Sequence, residues 1–223
     1  LSGYTVVDSS TVIATHLTEV ISNHVSELLG SQELDDILRV TAKSAPKLVD
    51  DLVPAKLSNG ELLRILRNLV REKVSIRDMR TILETLADRI SETRNTDILT
   101  EYIRYRLGPA ICTELADEER TIHGIVLSGG AAQAIRESLT AIDSEIHVGL
   151  QPETARTLLQ TLQDQMERFA LSGRQPLVIV PAEIRRPLRD FVARHLSNLV
   201  VLSHREVPSR FRLEVIGEVP ITN

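Results

Sequence analysis

The spacing of apolar residues changes once along the 223-residue chain, near Pro109, and that change constrains the possible fold more than any other feature. Before it, apolar residues return every three or four positions, as on a helix with one covered face. After it, short β-branched or alternating runs appear with helical stretches between them. The expected class is α+β with several subdomains: a helix-rich middle, then an α/β C-terminal part with a small mixed sheet.

In the first part, residues 9–30 read as one long helix, with Ser9 or Ser10 as its cap. Val12, Ile13, Leu17, Val20, Ile21 and Leu28 form its apolar stripe. Short helices are expected around 34–40 and between Pro46 and Pro54. Ser58-Asn-Gly-Glu61 has the spacing at which a serine and a glutamate satisfy each other's free amides, so a helix should run over 58–72. Ser75-Ile-Arg-Asp78 gives a similar start. Met79 and Leu83 fall on the apolar face of the helix that follows and should be buried, whereas Arg77 and Arg80 should be exposed. Another helix is expected from about 97 to 107, stopping at Gly108-Pro109. Beyond that point 121–127, 177–180, 199–202 and 211–216 read as strands, and 131–142, 152–171 and 183–196 as helices.

Composition excludes several function classes. A formal charge of -5 gives no long-range pull toward phosphate backbones or anionic lipid. With aromatics at 3% and no tryptophan, there is little on which bases could stack, and nucleic acid is not an expected partner. Cys112 is the single cysteine, so an intrachain disulfide or a cysteine metal cluster cannot form, which suits a reducing compartment. The longest apolar runs fall far short of the roughly 20 residues that span a bilayer. Leu1-Ser-Gly-Tyr-Thr5 lacks the features of a signal peptide, and a leucine start suggests an excised, soluble segment.

Residues that could carry chemistry are few. His16 and His24 lie too far apart along a helix to share a metal, and His123, His147, His195 and His204 have no ligand spacing, so no metal or cofactor is expected. Ser128-Gly-Gly130 sits between a strand and a helix, where small residues can let amides approach an anion, but it lacks the phosphate-loop spacings and reads as an ordinary turn. A hydrolase or transferase built on that turn would need a nucleophile, base and oxyanion donors converging there. Cys112 has no motif around it and reads as a buried or incidental thiol rather than a catalytic one. Arg64, Arg67, Arg71, Arg77 and Arg80, mixed with Glu61, Glu72, Asp78 and Glu84, read as a solvated face, the alternative being intersubunit pairs where subunits pack side by side. No catalytic constellation emerges, and the chain is expected not to be an enzyme.

Gly3-Tyr-Thr-Val-Val-Asp-Ser-Ser-Thr-Val-Ile-Ala-Thr-His-Leu17 closely resembles a segment in the cytoplasmic domain of the FlhA/SctV family of type III export gate proteins. Leu52-Val-Pro54, Val74-Ser-Ile-Arg-Asp-Met-Arg-Thr-Ile-Leu-Glu-Thr-Leu86, Leu99-Thr-Glu-Tyr-Ile-Arg104 and Ile184-Arg-Arg-Pro-Leu188 extend the resemblance over nearly the whole chain. Gly3-Tyr-Thr-Val-Val7, Ala14-Thr-His-Leu17 and Asp78 look flagellar, although Ser9 stands where flagellar relatives usually carry proline. The alternative is the equivalent component of a virulence injectisome. The resemblance implies a parent with an N-terminal membrane domain in the bacterial inner membrane and a cytoplasmic domain assembled into a homo-oligomeric ring. By the family's layout, residues 1–28 complete an upstream α/β subdomain, 29–108 form a helical subdomain and 109–223 a C-terminal α/β subdomain. It also implies a docking platform for export chaperone–cargo complexes and the export ATPase complex. A hydrophobic depression receives chaperone and cargo in the family, and its matching positions here are Val7, Asp8, Val12 and Thr15.

Overall fold

In the computed structural model the backbone is described for residues 8–142, 145–171 and 173–220. Two compact units divide the chain between Arg106 and Leu107. The first is helical: α1 (Ser9–Leu28), α2 (Ser31–Ala42), α3 (Pro46–Leu52), α4 (Asn59–Arg71), α5 (Met79–Arg89) and the opening turns of α6 (Thr96–Leu115). Its core is aliphatic, with Leu62, Ile65, Leu66, Ile82, Leu83 and Leu86 fully buried.

Local chemistry explains where these helices begin. At α4 the expected reciprocal cap is present: Glu61 N–H donates to Ser58 Oγ at 3.2 Å, and Ser58 N–H donates to Glu61 Oε2 at 2.8 Å. Helix α5 starts later than Ser75. The Ser75 hydroxyl oxygen instead accepts from Arg77 N–H, and Asp78 is the cap, accepting from Thr81 N–H at 3.1 Å. Met79 and Leu83 are buried, Arg77 and Arg80 exposed, as the one-sided spacing predicts. Arg104 on α6 is also buried, its guanidinium 3.1 Å from the Glu72 carboxylate at the end of α4. The partner supplies the opposite charge that such burial requires.

Helix α6 corrects the expected stop, for it runs on through Gly108-Pro109. A proline there removes one helical hydrogen bond, but burial of Leu107, Ile111 and Cys112 rewards the continued turn. Gly108 has a separate reason. A Cβ there would lie 2.2 Å from the Glu206 carbonyl oxygen, so only glycine admits that backbone so close.

The second unit is built on a four-stranded sheet ordered β5-β4-β1-β6, from β1 (Thr121–Leu127), β4 (Leu177–Val180), β5 (Val200–Ser203) and β6 (Arg212–Val219). Every pair in it is parallel. Helices α7 (Gly129–Glu137), α8 (Pro152–Leu171) and α9 (Ala182–Val192) supply the crossovers that parallel strands need. The Leu-Val-Ile-Val sequence of β4 is wholly buried, which is why it reads as a continuous apolar run rather than an alternation.

One expected helix is cut short. Residues 131–142 do not form a single helix: α7 ends at Glu137, and β2 (Leu139–Ile142) pairs antiparallel with β3 (Glu145–Val148) in a separate two-stranded sheet. The Ser138 hydroxyl donates back to the Ile135 carbonyl and closes the helix. Leu139 and Val148, opposite each other in the hairpin, then pack on the core of this unit. Two antiparallel strands thus stand outside the main sheet, and the main sheet itself is purely parallel.

Candidate docking surface

The residues singled out in the sequence gather at the start of α1, except Val7, which lies outside the described residues. Asp8 is the cap of this helix, rather than Ser9 or Ser10. Its carboxylate accepts from Thr11 N–H at 2.8 Å and from the Thr11 hydroxyl at 2.9 Å, and the Ser10 hydroxyl donates to it as well. Those donors, the Ser10 hydroxyl first, lower the Asp8 pKa to about 2. At neutral pH the head of the helix therefore carries a fixed negative charge.

Val12 and Thr15 follow Asp8 at helical spacing, so all three lie on one side of the helix. Both are exposed, Val12 to 51%. The Thr15 hydroxyl donates to the Thr11 carbonyl at 2.8 Å, which satisfies the group internally. Beside them Ile13 and Leu17 are exposed to 67% and 55%, and Val20 and Ile21 continue the apolar surface. Among the described residues nothing covers Val12. Among the described residues the far end of α1 is the seated part: Ser26 and Leu29 are buried, and Arg67 of α4 donates to the Leu29 carbonyl at 2.9 Å.

The chemistry available here is recognition by contact. A charged cap heads an open strip of branched apolar side chains, into which a partner's aliphatic or aromatic anchor could settle. Elsewhere, Ser128 caps α7 by accepting from Ala131 N–H at 3.1 Å, so its hydroxyl is engaged as an ordinary helix start. Cys112 is fully buried with its sulfur 3.4 Å from the Glu206 carbonyl. Among the described residues, no group of three His, Cys, Asp or Glu side chains could hold a metal. One cluster escaped sequence reading: His123 lies between Asp117 and Glu214. His123 and Glu214 come from strands far apart in the sequence, β1 and β6, so no local motif announces the cluster.

A family model described as the FHIPEP family matches residues 1–212. The chain belongs to the FHIPEP family. Among FHIPEP relatives, the flagellar biosynthesis protein FlhA of Escherichia coli (strain K12) is 39% identical over 219 residues, an alignment covering 98% of this chain and 31% of that protein. FlhA of Bacillus subtilis (strain 168) is 32% identical, over 98% of this chain and 32% of that protein. The chain therefore spans about a third of the length of these FHIPEP relatives. Among solved structures, the nonameric EscV cytosolic domain from the type III secretion system superposes with a TM-score of 0.80 at 27% identity, covering 93% of this chain and 61% of that one. The flagellar branch of FHIPEP is favoured by the sequence relatives, and the α+β class is shared with the secretion-system domain. No helix among the described residues is long and apolar enough to cross a membrane.

Proposed function

We propose that this chain is a cytoplasmic part of the export gate of a bacterial flagellar type III protein export apparatus, and that it works as a docking platform. Its partners on this reading are export chaperone–cargo complexes, the export ATPase complex, other gate subunits and further copies of itself in a homo-oligomeric ring. The parent protein is anchored in the inner membrane by a region outside this chain, with residues 1–28 closing an upstream subdomain, 29–108 forming the helical subdomain and 109–223 the C-terminal one. No bond is made or broken in this role. The observation that carries the proposal is the open apolar strip of α1, headed by Asp8 and including Val12 and Thr15, in a chain of the FHIPEP family. The nonameric assembly of EscV supports the ring. A strip of this kind suits an aliphatic or aromatic anchor from a chaperone or its cargo, because each apolar contact there removes two water-exposed surfaces at once.

The test is made in the full-length protein. V12D and T15D, each placing a carboxylate in the strip, are expected to reduce secretion of flagellar cargo while membrane insertion stays normal. Undiminished secretion from both variants at normal protein levels would remove Val12 and Thr15 from the site.

A further inference from the structure

We propose that α6 is a proline hinge, bending in the turn between Arg104 and Gly108 so that the two units of the chain can change their orientation. The helix is unbroken from Thr96 to Leu115, and the division between the units falls inside it, between Arg106 and Leu107. In an α-helix each N–H donates to the carbonyl four residues back. The donors that reach back across this division therefore stand at positions 107–110. Pro109 is one of them and has no N–H, so the Tyr105 carbonyl receives no helical donor and is crowded by the proline ring. The gap in the hydrogen-bond ladder thus straddles the division, with its acceptor in one unit and its missing donor in the other.

On either side of the gap the helix is held by its own unit. Before it, Asn68 of α4 donates to Asp97 at 3.2 Å and to Thr100 at 3.4 Å, and buried Arg104 pairs with Glu72. After it, Gly108 lies so close to the Glu206 carbonyl that no Cβ fits, and the Cys112 sulfur is 3.4 Å from the same oxygen. Each anchor ties α6 to residues of one unit only. A bend is therefore directed into the short stretch between the anchors, where the ladder is weakest.

The side of the helix on which the bond is missing is open. Tyr105 stands one turn before Pro109 on the same side and is 56% exposed, and Ile98, further back on that side, is exposed as well. Arg106 and Ala110 flank the gap and are also exposed. Water can reach the Tyr105 carbonyl as it tilts outward, so the helix can open on that side without stranding a buried acceptor. A packed proline side would instead lock one fixed kink.

Distances between spin labels on the 223-residue chain test the hinge. R64C on α4 and Q163C on α8 place labels at exposed positions, one in each unit, while Cys112 is buried and stays unlabelled. The distance distribution between them should be broad with Pro109 in place. P109A restores the N–H donor and puts the best helix former at this position, so it should fold and narrow the distribution to about half its width. A control pair within the second unit, Q163C with R194C, should give a narrow distribution that P109A leaves unchanged. A distribution between the units that is already as narrow as the control's, or that P109A leaves as broad as before, would overturn the hinge.

Discussion

Helices α1 and α5 carry the same kind of apolar stripe and meet opposite fates. In α5, Ile82, Leu83 and Leu86 are fully buried and Met79 nearly so. In α1, Val12, Ile13, Leu17, Val20 and Ile21 are all at least 42% exposed. Helical spacing decides which side chains share a face; it does not decide whether anything covers that face. The difference is that α5 lies among other helices of its unit, whereas α1, among the described residues, is seated by its far end. Among the described residues the α1 stripe is uncovered and the α5 stripe is core, and the docking proposal rests on that contrast.

This contrast can be broken most forcefully at Leu83. L83A should lower stability by about 2 to 5 kcal/mol, the loss expected when a buried leucine leaves a cavity. Chemical denaturation measures it, and a change near zero would mean that α5 is not seated as described. A smaller, local effect is expected at the head of α1. Removing the cap in D8A should fray the first turn, read as reduced hydrogen-exchange protection over residues 11–14 with the midpoint of unfolding little altered. Acid should act in the same direction. The Asp8 pKa is lowered to about 2, so its contribution is fully present above the ordinary aspartate range and is lost as pH falls toward 2. If the first turn of α1 keeps its protection in D8A, the cap is not what fixes this surface.

Much of the fold was legible because it follows from local rules. The Ser58-Glu61 box, the β1 and β4 runs and the one-sided face of α5 need only neighbouring residues to be read. The errors arose where distant contacts outweigh local signals. Gly108-Pro109 reads as a stop, yet the approach of the Glu206 backbone and burial of Ile111 keep α6 going. Leu139 to Ile142 reads as helix until its antiparallel partner is placed beside it. At the candidate surface, the residues were readable and their exposure was not. Val12 suits a core as well as a docking strip, and only the packing of α1 distinguishes the two. Asp8 was overlooked as a cap because serines follow it directly. The Asp117, His123 and Glu214 cluster was hidden for a different reason, since it exists only once β1 and β6 are side by side.

The smallest stability effect belongs to the variant that matters most for function. V12D places a charge on an exposed position, where substitutions usually change stability by no more than about 0.5 kcal/mol. Thermal melting and chaperone–cargo binding should be measured on one preparation of the full-length protein carrying this change. The account predicts a native melting curve together with clearly weakened binding. A native melting curve with binding as tight as the parent's would contradict it, and an early melt would show that the Val12 face is a covered core and not an open docking surface.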